Sequence, residues 1–236
     1  MVVGLVVFDM DDTLFLERAY VESGFQAVSE MLAAEHNFTS FFERAWQEFQ
    51  SGRRGDIFNR VLHDSASLLP SDIVDLCITS YRSHEPRIEL LTDSRDFLAA
   101  CRGRVRTGLI TDGPRLSQQA KIRSLNLAER IERVIVTDEH REEDWAKPSP
   151  IAYASLQEWF GVRGRDCVYI GDNPRKDFIS PRRLGWRTVR VRRPGGLHER
   201  VETVDDAEFE IPSLTRTSVT MIDCLEFLAD EMKCAK

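Results

Sequence analysis

The sequence has 236 residues, 42% of them hydrophobic and 30% charged, and a formal net charge of -7. Such a balance is that of a soluble globular chain long enough to bury a substantial core. A net-negative chain without a clustered basic face is expected to be a poor nucleic-acid binder, because phosphate neutralisation dominates that affinity. The five cysteines, Cys77, Cys101, Cys167, Cys224 and Cys234, are odd in number and scattered, with no pair at zinc or redox spacing, so a reduced, cytoplasmic setting is expected. The apolar opening Met1–Phe8 lacks a basic start and is interrupted by Asp9, Asp11 and Asp12, unlike a signal peptide, and no stretch has the length of a membrane span.

In chain order, Val2–Phe8 is a nearly continuous apolar run, the pattern of a strand buried on both faces of a parallel sheet. From about Glu17 to Arg82 the pattern turns helical. Phe25, Val28 and Leu32 share one stripe, Phe41, Phe42, Ala45, Trp46 and Phe49 another, and Ser71-Asp72 reads as a capped helix start. Strands and helices then alternate: strand Val105–Ile110, helix Leu116–Leu125, strand Arg133–Val136, helix Pro150–Phe160, strand Cys167–Ile170, helix Asp177–Leu184 and strand Arg187–Val191. The basic run Arg187–Arg193 alternates with Val189 and Val191 and reads as an edge strand with solvated charges. A short strand at Phe209–Ile211 and a last helix over Val219–Met232, with Met221, Leu225, Leu228 and Met232 on one face, complete the pattern. Single helices between strands imply right-handed crossovers and an α/β fold, a Rossmann-like doubly wound parallel sheet carrying an inserted all-helical segment. The expected boundaries are 1–15 with 87–236 for the α/β core and 16–86 for the helical insert.

In such sheets ligands bind at the carboxyl ends of the strands. Asp9-Met10-Asp11-Asp12-Thr13 follows the first strand, and Thr111-Asp112-Gly113 the second. Lys147-Pro148 precedes the helix after the third, and Gly171-Asp172 through Asp177 follows the fourth. Taken singly, each has a structural alternative. Asp-Asp-Thr is also turn and N-cap chemistry, Thr111 also a cap, Lys147 also a solvated lysine and Gly171-Asp172 also a tight turn. Acids, a hydroxyl and a lysine at four successive strand ends argue for one site.

With these residues the chain resembles the haloacid dehalogenase superfamily of hydrolases, in its phosphatase branch with a C1-type helical cap. Asp-x-Asp-x-Thr is matched by Asp9, Asp11 and Thr13, the Ser or Thr of the second motif by Thr111, the Lys-Pro of the third by Lys147-Pro148, and Gly-Asp-x-x-x-x-Asp by Gly171, Asp172 and Asp177. Asp112 departs from the Asn often found there. The resemblance implies an aspartate nucleophile, Asp9, and an acid/base, Asp11, whose presence favours phosphate esters over halides as leaving groups. It further implies that Mg²⁺ is held by the side chains of Asp9 and Asp172 and the backbone carbonyl of Asp11. Asp177 then orients that set, while Lys147 and Thr111 bind the phosphate. Specificity is expected in the cap and after the first motif, with Glu17, Arg18, Tyr20, Arg53, Arg54, Tyr81, Arg82 and His84 as candidates. The implied partner is a small-molecule phosphate ester, a sugar phosphate by preference, acted on by a monomer or homodimer with no nucleic-acid or membrane partner. Two alternatives share the motifs: a phosphotransferase or phosphomutase, and a non-catalytic binding relative.

Overall fold

The computed structural model describes residues 3–63, 69–140, 144–202, 207–229 and 232, so Met1, Val2 and Cys234 of the sequence reading lie outside the described residues. The elements run β1 (Leu5–Phe8), α1 (Glu17–His36), α2 (Phe41–Gln50), α3 (Ile57–His63), α4 (Ile73–Ser83), α5 (Thr92–Cys101), β2 (Arg106–Thr111) and α6 (Arg115–Ser124). They continue with β3 (Arg133–Val136), α7 (Ile151–Phe160), β4 (Cys167–Gly171), α8 (Ile179–Arg183), β5 (Arg187–Val191), β6 (Phe209–Ile211), α9 (Arg216–Val219) and α10 (Glu226–Ala229). Among the described residues no helix is long and apolar enough to cross a membrane. The chain divides into two compact units, Met1–Glu17 with Glu89–Lys236, and Arg18–Ile88.

The discontinuous unit is built on a six-stranded sheet in the order β3-β2-β1-β4-β5-β6, with every pairing parallel. All four residues of β1 are buried, because β2 and β4 flank it and both sheet faces are covered. Side chains alternate across the sheet. Leu5 and Val7 join Ile110, Tyr153, Leu156, Tyr169 and Trp186 in one cluster, and Phe8, on the opposite face, meets Phe97 of α5 edge-on at 5.9 Å. Each such buried side chain contributes about 1.5–3 kcal/mol.

Two sequence expectations are corrected here, and one element is new. The strand at Arg187–Val191 is interior, since β6 pairs with it through Val189↔Phe209 and Val191↔Ile211. Arg190, within it, is therefore not solvated. The Arg190 side chain has no exposed surface, and Nη2 donates to the carbonyls of His198 at 3.0 Å and Val201 at 2.8 Å. Secondly, the single helix expected over Val219–Met232 is two short helices, α9 and α10. Between them Asp223 Oδ1 accepts the Cys224 N–H at 2.6 Å, a local bond that competes with the helical ladder. Met221 is consequently 71% exposed while Leu225 and Leu228 are fully buried. The new element is α5, with Ser94, Phe97, Leu98 and Cys101 on its buried face.

The contiguous unit is helical. Phe25 of α1 stands at its centre, with ring centroids of Phe41, Phe58 and Phe49 at 6.1, 6.0 and 6.4 Å in edge-on contact. A Cβ at Gly24 would run into the Tyr81 ring, so the glycine lets α4 approach α1. Several specificity candidates are spent on packing within this unit. Tyr20 and Tyr81 meet edge-on at 5.4 Å, His84 Nδ1 lies 2.6 Å from the Tyr81 carbonyl, Arg53 pairs with Glu48 at 2.6 Å, and Arg54 stacks on Phe49 at 3.9 Å.

Arg193, just past β5, ties the discontinuous unit together. Its Nε donates to the Thr13 carbonyl at 2.8 Å, Nη1 to Asp93 at 2.7 Å and Nη2 to Ser94 Oγ at 2.8 Å. Asp93 also accepts the Leu214 N–H at 2.7 Å. Breaking a buried ion pair from one side leaves an uncompensated charge, so Arg193→Met is expected to cost about 3–5 kcal/mol, measured as a lowered urea midpoint.

Candidate active site

The strand order places the topological switch between β1 and β4, since β2 and β3 extend the sheet one way and β5 and β6 the other. Ligand crevices of open α/β sheets open at that point, at the carboxyl ends. Asp9 follows β1 there and Asp172 follows β4. The Asp9 N–H donates to the Ile170 carbonyl at 2.8 Å, which aligns the two strand ends. Both side chains are buried, Asp9 at 5% and Asp172 at 7% exposure.

Lys147 enters from the segment before α7. Its Nζ contacts Asp9 Oδ1 directly and lies 2.8 Å from Asp177 Oδ1 and 3.1 Å from Tyr169 Oη. Burial alone would strip the proton from this lysine, but Asp177 and Asp9 outweigh it and hold its pKa well above the usual lysine value. Even so, carboxylate charge remains in excess. Burial raises Asp9 to about 8, with Asp177 and Asp172 adding to the rise and Lys147 opposing it. Burial, Asp177 and Asp12 likewise push Asp172 well up. Carboxylate oxygens of Asp9, Asp172 and Asp177 lie within 4.8 Å of one another. A crowded set of hard oxygen donors with unbalanced charge fits a divalent cation such as Mg²⁺. Asp177 is already engaged in holding the loop: its Oδ2 accepts the N–H groups of Asp172 at 3.1 Å and Asn173 at 2.9 Å. A Cβ at Gly171 would come within 2.5 Å of that oxygen, so the glycine of the fourth motif makes room for the carboxylate.

Asp11 and Thr111 are joined by a side chain the sequence reading did not select. Thr111 Oγ1 donates to Gln118 Oε1 at 3.3 Å, and Gln118 Nε2 donates to Asp11 Oδ2 at 3.4 Å. Lys121, one turn further along α6, lies 2.7 Å from Asp11 Oδ1. The neighbouring Asp12 has a left-handed backbone, φ 51°. Its carboxylate caps the start of α1 through the Glu17 N–H at 2.9 Å and takes the Leu197 N–H at 2.7 Å. Thus Lys147 contacts Asp9 and Asp177, Asp172 brings an oxygen within 4.8 Å of both, and Asp11 and Thr111 are tied to the same rim through α6.

Two further side chains join the rim without a motif to announce them. His198, in the loop after β5, has Nδ1 2.8 Å from Asp172 Oδ2. Burial lowers its pKa, with Asp12 and Glu17 opposing, so a neutral ring donating from Nδ1–H suits the contact. Lys176 lies 2.8 Å from Asp112 Oδ2, an ion pair that an asparagine at this position would not make. Asp112 Oδ1 accepts the Thr137 hydroxyl at 2.9 Å and the Lys147 N–H at 3.2 Å. Burial would raise the Asp112 carboxyl, but Lys147 and Lys176 hold it below its usual value. Trp145 stacks on His140 with ring centroids 3.8 Å apart.

A family model described as haloacid dehalogenase-like hydrolase matches residues 3–185. Among curated proteins, a glyceraldehyde 3-phosphate phosphatase of Methanocaldococcus jannaschii is 26% identical over 89% of this chain and 92% of its own. An N-acylneuraminate-9-phosphatase of Rattus norvegicus is 24% identical over 94% of this chain and 96% of its own. Among solved structures, a HAD-hydrolase of Bacillus subtilis bound to magnesium superposes with a TM-score of 0.65 at 16% identity, covering 91% of this chain and 96% of its own.

The Asp112 contacts separate two variants. Asp112→Asn keeps the Oδ1 acceptor and loses only the partly exposed ion pair, an expected cost of about 1 kcal/mol or less. Asp112→Leu leaves the Lys147 amide without this acceptor and should cost about 1–3 kcal/mol, both read by thermal unfolding.

Proposed function

Because the chain belongs to the haloacid dehalogenase-like hydrolase family, we propose that it is a Mg²⁺-dependent phosphatase of a small phosphate monoester, acting through an aspartyl-phosphate on Asp9. The observation that carries this reading is the meeting of Asp9, Lys147, Asp172 and Asp177 at the switch point, with Asp11 two residues beyond Asp9 on the same turn. Both curated relatives are phosphatases by name. Their named substrates, a triose phosphate and a phosphorylated neuraminate, support a sugar phosphate here. In this proposal the helical unit, 16–86 in the sequence reading, serves as a C1-type cap.

The reaction runs in two steps. Asp9 attacks phosphorus as the ester P–O bond breaks, and Asp11 gives a proton to the departing alkoxide. Water then attacks phosphorus, Asp11 takes its proton, and the bond from phosphorus to Asp9 breaks to release phosphate. Asp9, Asp172 and the Asp11 carbonyl would hold Mg²⁺, which when bound supplies the positive charge that lets a carboxylate approach a dianion. Lys147 and Thr111 bind the phosphoryl oxygens, the lysine adding charge where charge develops and the Thr111 hydroxyl turning from Gln118 Oε1 to donate. Asp177 orients Lys147 and the strand-end loop.

Hydrolysis of 4-nitrophenyl phosphate tests this directly. Turnover is expected only with Mg²⁺, to vanish with EDTA, and to fall at least about a thousandfold in Asp9→Asn; a folded protein with undiminished activity in that variant would sink the proposal. Independently of turnover, Mg²⁺ at about 100 times its Kd should stabilise the fold by about 2.7 kcal/mol. That shift in Tm should disappear in Asp172→Ala.

A further inference from the structure

Both carboxylate oxygens of Asp11 are gripped by α6, an arrangement none of the four motifs contains. Lys121 Nζ lies 2.7 Å from Asp11 Oδ1, and its side chain is only 4% exposed. Gln118 Nε2 reaches Asp11 Oδ2 at 3.4 Å and donates to the Asp112 carbonyl at 2.8 Å. Positions three apart share a helix face, and here that face is buried with Ser117, Gln118, Ala120 and Lys121 turned inward. The lysine passes the ring of Phe15, 5.9 Å from its centroid. A buried lysine is costly unless paired. An apolar residue would fill this face more cheaply, so the cation calls for a role, and its charge is directed at Asp11.

Resting on the phosphatase reading above, we propose that Lys121 is a positioning residue for Asp11. With Gln118 it holds the carboxyl group in one orientation for both proton transfers. A carboxylate on a strand-end turn without such partners would populate several staggered rotamers, only one of which faces the leaving oxygen. Lys121 itself touches no reacting atom and keeps its proton throughout. In the first step the proton passes from the Asp11 carboxyl to the alkoxide, and in the second from water back to Asp11. Since Lys121 is directed at Asp11 rather than at Lys147 or Thr111, its loss should act on kcat and leave KM in place.

The test is a double-mutant cycle with 4-nitrophenyl phosphate and saturating Mg²⁺. Lys121→Met should lower kcat about 10- to 100-fold with KM within about twofold, while Lys121→Gln, which retains a donor for Asp11, should recover most of that loss. In an Asp11→Ala background Lys121→Met should have no further effect on kcat. Three results would overturn the proposal: an equal loss in the Asp11→Ala background, a raised KM with unchanged kcat, or a Lys121→Gln variant as impaired as Lys121→Met. Should Lys121→Met not fold, judged by its Tm, the cycle is run with Lys121→Gln, where a kcat loss that persists undiminished without Asp11 has the same meaning. An inactive wild type, by contrast, overturns the phosphatase reading itself and this proposal with it.

Discussion

The ammonium of Lys147, with no exposed side-chain surface, is the contact on which the strand-end rim depends. Asp9, Asp172 and Asp177 bring oxygens within 4.8 Å of one another in a buried space, where water cannot screen their repulsion. One cation touching both Asp9 and Asp177 is what allows two of these carboxylates to stay side by side. The lysine is in turn held by the Tyr169 hydroxyl, and by Asp112 through its own backbone N–H. Its position thus rests on β2, β4 and the segment before α7 together.

A second tier of contacts keeps that geometry from drifting. Asp177 pins the turn after β4, Asp112 links the end of β2 to Lys176 in that turn, and Asp12 ties the loop after β1 to Leu197. Arg190 and Arg193 then anchor the loop after β5 to carbonyls and to Asp93. The rim is therefore braced by charge-assisted bonds rather than by apolar packing, the type of bond that fixes direction as well as distance.

The legible parts of the sequence were those where one residue type has one physical reading. Arg133–Val136 and Phe209–Ile211 form strands at those bounds, and the apolar run into Asp9 became the buried β1, because β-branched runs ending in turn residues have few alternatives. The motif carboxylates and Lys147 were legible because strand ends converge on one rim. Gln118 and Lys121 were not. A polar residue at helical spacing reads as solvent-facing unless the partner is known, and Asp11 lies over a hundred positions away in the chain. His198 sits in a loop with no periodicity. Arg190 and Arg193 misled for a related reason: whether a strand lies at an edge depends on β6, which the strand's own residues do not encode.

The placement of β1 also bears on how the chain reaches this state. β1 leads into the loop of Asp9 and Asp11, yet its partners begin at Arg106 and Cys167, roughly one hundred residues and more downstream. Closing such loops costs entropy before any pairing compensates, which delays the pairing of this central strand relative to local contacts. The residues from Arg18 to Ile88 face no such delay, being contiguous and rich in local helix–helix contacts. During synthesis the helical unit can condense while β1 waits as an unpaired apolar segment. Until it pairs, β1 presents a row of unpaired backbone groups, the kind of edge that other chains can pair with.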